Sequence, residues 1–136
     1  MKIDLKYIED KVFETVNESG NVLKMDMKDA DSKEYQSPTQ LLLSATVGCA
    51  AVDIVSMIKK KRKTFVDLRA EATGTRRDEH PRKFVEVHIK YILTSPDTTN
   101  EELDKVVALA VDKYCSVAAS LDQDLRLTRS SEVQSN

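Results

Sequence analysis

Apolar and polar residues alternate from the first positions. Ile3, Leu5 and Tyr7 interleave with Lys2, Asp4 and Lys6, and Val12, Glu14 and Val16 alternate with Phe13 and Thr15. A period of two is the mark of a strand, whose successive side chains point to opposite faces. Asn17–Glu18–Ser19–Gly20–Asn21 reads as a turn, and Leu23, Met25 and Met27 set the next apolar face, so residues 1–27 predict two hairpins in series. Asp29 to Gln36 is polar and without period, and is expected to be a mobile loop.

The period then changes. Ser37–Pro38 opens a helix, with Ser as N-cap and Pro at the first helical position, and the following run is apolar on nearly all sides to about Lys60. Such a helix is expected at the centre of a core. Its closing Lys59, Lys60 and Lys61 suit the negative end of the helix dipole. Val66, Leu68, Ala70 and Ala72 alternate again, and after a charged turn from Gly74 to Pro81 so do Val85, Val87, Ile89 and Tyr91. These predict another hairpin. Ser95–Pro96–Asp97 breaks the chain, and Thr99–Asn100–Glu101–Glu102 has the form of a capping box. Leu103, Val106, Val107, Ala110, Val111, Tyr114 and Val117 then mark one face of a helix reaching about Ala118. Leu125 and Leu127 predict a short last strand, with Ser130 to Asn136 expected to fray. The order βββ-α-ββ-α-β predicts a single α+β domain over residues 1–136, with mostly hairpin-joined, antiparallel strands in sheets around a long central helix.

Composition narrows the function. A hydrophobic share of 40% beside 32% charged residues describes a folding chain. A net charge of −2 and an aromatic share of 5% argue against an electrostatic or stacking grip on nucleic acid. Leu41 to Ile58 has the length of a membrane span, but Asp53, Ser44, Thr46 and Ser56 interrupt it, so a protein environment is expected. The charged stretch after Met1 carries no signal-like apolar run, and two cysteines are too few for a secreted disulfide scaffold; a cytoplasmic protein with free thiols is expected.

Those two thiols, Cys49 and Cys115, are the residues with chemistry to offer. Cys49 lies too deep in its helix for that helix's own dipole to lower its pKa. Gly48 and Ala50 leave room beside it, while Asp53, four residues on, shares its face and disfavours a thiolate. Spacing alone reads each cysteine as a small core residue. As a pair they either fill a core or form a redox couple, and spacing leaves both open. His80 precedes Pro81 in a turn, and His88 lies on the polar face of a strand; both read as solvated surface. There is no metal-ligand spacing, glycine-rich phosphate loop or Gly-x-Ser-x-Gly elbow, so neither metal nor cofactor is expected.

Pro38-x-x-Leu41-Leu42-Leu43 leading into Val47-Gly48-Cys49-Ala50-Ala51-Val52-Asp53-Ile54-Val55, with Lys113-Tyr114-Cys115-Ser116-Val117 downstream, resembles the OsmC/organic hydroperoxide resistance (Ohr) family, in its OsmC-like branch, from about Gln36 to Val133. The resemblance implies an OsmC-like fold and an intertwined homodimer, its long helices central and both subunits building each site. It implies that Cys49 is the peroxidatic thiol and Cys115 the resolving thiol, acting on a small organic hydroperoxide and reset by a dithiol or lipoyl-type reductant. The family pattern adds an N-terminal arginine and a glutamate before the cysteine helix. Here no arginine precedes Arg62, and the positions nearest the glutamate hold Thr39 and Gln40. With Asp53 these are the supporting positions. The alternative implied is a non-catalytic dimer of the same fold that binds a small apolar or thiol-reactive ligand.

Overall fold

The computed structural model describes residues 1–135, so the last residue of the predicted tail, Asn136, lies outside the described residues. The chain divides into two compact units, the first ending at Leu42 and the second starting at Leu43.

The first unit holds an antiparallel sheet in the order β1-β2-β3, formed by Ile3–Glu9, Val12–Asn17 and Val22–Asp26. These are the two predicted hairpins. The register pairs Ile3 with Asn17 and Val12 with Asp26. The segment after β3 differs from the expected mobile loop, because Asp26 organises it. Its carboxylate is fully buried and accepts from the Lys33 ammonium at 2.8 Å and from the backbone N–H groups of Lys28, Glu34 and Tyr35 at 3.1, 2.8 and 2.7 Å. Burial alone would raise the pKa of this group; the Lys33 ammonium and the three N–H donors outweigh it and hold the carboxyl well below the usual range. A short 3₁₀ turn, Ala30–Ser32, sits within the segment.

Helix α1, Pro38–Lys60, starts as the sequence predicts, but with a reciprocal cap. The Gln40 amide oxygen accepts from the Ser37 N–H at 2.9 Å, and the Ser37 hydroxyl accepts from the Gln40 N–H at 3.2 Å. That is a Ser-x-x-Gln capping box, with Thr39 Oγ1 3.2 Å from the same Ser37 hydroxyl. By length and composition α1 could also cross a membrane, a test that the core helix of a soluble protein passes equally.

The second unit is built on a sheet in the order β4-β5-β6, from Asp67–Arg76, Phe84–Thr94 and Arg126–Gln134. β4 and β5 form the predicted hairpin. Strand β6 corrects two expectations. It runs parallel to β5, from Glu86 opposite Arg126 to Thr94 opposite Gln134, so this sheet is mixed rather than antiparallel. It also extends through residues expected to fray. Polar anchors hold that stretch: Arg129 on Asp112 at 2.6 Å, the Ser131 hydroxyl on Asp104, and the Val133 N–H on Asn100 Oδ1 at 2.7 Å.

A parallel pair needs a crossover, and here the link carries α2, Asn100–Ala108, with the predicted Thr99–Glu102 capping box. One core joins the three layers: Ala50, Ile54 and Ile58 from α1, Val87, Ile89, Tyr91 and Leu93 from β5, and Leu103, Val106 and Val107 from α2. The expected continuous helix to Ala118 does not form. After α2 the chain widens into a π-helical stretch, Leu109–Tyr114, leaves helical geometry at Cys115 (ψ 104°), and resumes as the single turn α3, Ser116–Ala119.

Candidate dithiol site

Cys49 and Cys115 both belong to the second unit, and both are free thiols. Cys49 is half-buried on α1, beside the buried stripe Thr46, Ala50, Ile54 and Ile58. Cys115 is 3% exposed and sits in the gap between the π-helical stretch and α3. That gap sets its chemistry. Out of helical geometry, Cys115 becomes the N-cap of α3, its sulfur accepting from the Ala118 N–H at 3.3 Å. Its thiol donates to the Thr46 carbonyl at 3.9 Å.

The same turn aims N–H groups at the other sulfur. The Val117 N–H, foremost, holds the Cys49 thiol below its ordinary pKa, and the Cys115 thiol and the Ser116 N–H add to this. Burial and the Asp53 carboxylate act in the opposite sense, Asp53 as its place on the shared helix face leads one to expect. Cys115 moves the other way: burial pushes it up, the negative charge developing on Cys49 adds to that, and the Ala118 N–H opposes. One dithiol therefore contains a sulfur poised to ionise and a sulfur poised to keep its proton. Of the two, Cys49 is therefore the sulfur with the greater nucleophilic character.

Tyr91, in the central strand β5, supports the pair. Its ring is fully buried and its hydroxyl donates to the Val47 carbonyl at 2.8 Å. Burial, and then the neighbouring sulfurs, raise its own pKa, so it stays a neutral donor. Sequence reasoning took Tyr91 as an apolar strand residue and missed this role. The signal was the residue type, since a buried tyrosine hydroxyl needs a partner. Ser116 and Val117 were missed for a different reason, because it is their backbone N–H groups and not their side chains that act on the Cys49 sulfur.

The structure brings Cys49, Cys115 and Asp53 into one site. It places the side chains of Thr39 and Gln40 on Ser37, at the start of α1. His88, expected to be solvated, is half-buried between the Thr128 and Ser130 hydroxyls at 2.7 and 2.9 Å. Among the described residues no group of three His, Cys, Asp or Glu is placed to hold a metal ion.

Comparison with known proteins agrees with this architecture. The profile of the OsmC family, OsmC-like protein, matches residues 30–129. Protein YhfA of Escherichia coli (strain K12) is 35% identical over 133 residues, covering 98% of each chain. The crystal structure of an OsmC like protein from Mycoplasma pneumoniae superposes with a TM-score of 0.81 over 98% of this chain and 95% of that one, at 18% identity. An organic hydroperoxide resistance protein from Elizabethkingia anophelis shares the fold at a TM-score of 0.66 and 13% identity, over 100% and 97% of the two chains. With its α+β fold, two three-stranded sheets and the matched profile together, the chain belongs to the OsmC-like protein family.

Proposed function

We propose that this protein is a cysteine-based reductase of small organic hydroperoxides. The observation that carries the reading is the seat of Cys115 against α1, its sulfur 3.9 Å from the carbonyl of Thr46, one helical turn before Cys49. From there the Val117 N–H and Cys115 help hold the Cys49 thiol below its ordinary pKa, while burial pushes Cys115 up. The Cys49 thiolate attacks the terminal oxygen of the hydroperoxide, the O–O bond breaks, and the alkoxide leaves with a proton as the alcohol. Cys49 becomes a sulfenic acid. The Cys115 sulfur then attacks the Cys49 sulfur, expelling water and forming a disulfide. A dithiol reductant returns two electrons and two protons and is itself oxidised. With no arginine in the N-terminal hairpins, the backbone N–H groups of Val117 and Ser116 take over stabilisation of the thiolate in this reading.

The working form in this reading is the homodimer. Val52 on α1 is 72% exposed, and Ile3, Leu5 and Tyr7 of β1 are exposed as well. Apolar surface of this kind favours coverage by a second copy. Stopped-flow oxidation by cumene hydroperoxide tests the enzyme reading. Thiol loss at least about a hundredfold faster than that of free cysteine is expected, the lower end of the roughly 10²–10⁴-fold that positioned proton transfer contributes. A rate equal to that of free cysteine leaves a ligand-binding dimer of the same fold in its place.

A further inference from the structure

A groove of about 370 Å³ opens on the face of α1 that carries Cys49, lined by Asp53, Ser56, Met57, Lys60, Leu109 and Tyr114. Asp53, Met57 and Lys60 follow Cys49 at helical spacings of four, four and three, so they continue the cysteine's own face. Among the described residues neither Asp53 nor Lys60 forms an ion pair, although each stands on the groove wall. Opposite charges thus mark the two ends, about 10 Å apart along the helix at 1.5 Å per residue. Between them Leu109 and Tyr114, 44% and 51% exposed in the single chain, form an apolar floor.

This charge arrangement complements a small zwitterion, ammonium toward Asp53 and carboxylate toward Lys60. Asp53 is one helical turn from Cys49, so an ammonium held there places a group two carbons away within reach of the Cys49 sulfur. We infer that the groove binds a small amino-acid or dipeptide thiol with its ammonium and thiol on adjacent carbons and a carboxylate beyond, and that this 1,2-aminothiol reduces the Cys49–Cys115 disulfide. The inference rests on the dithiol reading above and names its reductant. The thiolate of the first molecule attacks the Cys49 sulfur, the S–S bond breaks, and Cys115 leaves with the electron pair and takes up a proton. A second molecule attacks the ligand sulfur of the mixed disulfide. Cys49 is released as a thiolate, and the two ligand molecules depart joined as their own disulfide. Attack falls on Cys49 because Cys115 is 3% exposed.

The probe is the dipeptide cysteinylglycine, compared with its N-acetylated form and its C-terminal amide, with rates normalised to thiolate. Full-length protein is oxidised with diamide rather than a hydroperoxide, and the return of free thiols is followed. The dipeptide is expected to act about tenfold faster than the N-acetylated form, as one charge-assisted contact of about 1.4 kcal/mol would give. Asp53→Asn should bring that ratio close to one. Lys60→Gln should instead remove the advantage of the free carboxylate over the amide and leave the ammonium ratio intact. Equal wild-type rates, or a ratio that Asp53→Asn does not change, overturn the inference. Protein that diamide oxidises but cumene hydroperoxide does not would sink the peroxidase reading alone. Protein that diamide cannot cross-link sinks both.

Discussion

The hydroxyl of Tyr91 donates to the carbonyl of Val47 at 2.8 Å, tying the central strand of the mixed sheet to α1 just before Cys49. The neighbouring carbonyl, that of Thr46, lies 3.9 Å from the Cys115 sulfur. Adjacent peptide groups of α1 thus take contacts from β5 and from the turn that carries Cys115. Tyr91→Phe removes the first contact while keeping the ring. The loss should be about 1 kcal/mol, read as a lower urea midpoint with an unchanged slope.

The two thiols should separate in a pH titration. Alkylation of Cys49 by iodoacetamide, followed by mass spectrometry, should reach half its maximum rate at a lower pH than an ordinary thiol does, and that of Cys115 at a higher one. Asp53→Asn removes a negative charge that opposes the thiolate, so the Cys49 midpoint should fall further. Cys115→Ala removes a donor to the thiolate, so the midpoint should rise. A Cys49 midpoint unmoved by either change would contradict the geometry.

Asp26 makes the first unit acid-sensitive in a predictable direction. Its folded pKa is depressed, so its contribution is fully present above the unfolded carboxylate value near 4 and fades as pH falls below it. Hydrogen-exchange protection of the Glu34 and Tyr35 amides, both bonded to Asp26, should be lost over that window. In Asp26→Asn the same amides should be weakly protected at neutral pH, with little further dependence on acid.

Gly74 fixes the packing of the β4–β5 hairpin. A Cβ placed there would collide with the ring of Phe84. Gly74→Ala should therefore destabilise by about 1–3 kcal/mol, the usual cost of overpacking. In a double-mutant cycle with Phe84→Leu most of that loss should be recovered, because the smaller side chain makes room. Thermal denaturation of the four variants measures the coupling.

Much of the fold was legible in the residues. The alternations around Ile3, Val12, Leu23, Leu68 and Val87 mark the first five strands, and the two caps mark α1 and α2. Strand β6 was only half legible. Arg129 and Ser131 carry no apolar alternation, and what holds them, Asp112 and Asp104, lies in the crossover. The break at Cys115 was hidden because a π-helical stretch keeps apolar residues on one side, so Leu103 to Tyr114 still looks helical. No glycine or proline marks the interruption. Gln40 was read through the family pattern, although Ser37-x-x-Gln40 already spelled a capping box. The thiol partners were legible as residues but not as neighbours, since it is the crossover between β5 and β6 that carries Cys115 back to α1.

Because both sulfurs are anchored in one core, each meets the other without a search through solution. Oriented groups of this kind behave as though present at effective concentrations of about 10⁵ M or more, whereas free thiols in a cell compete only at their bulk level. An oxidised Cys49 should therefore be captured from within its own chain before any outside thiol arrives, which makes the internal bridge, and not a mixed disulfide, the first disulfide to form.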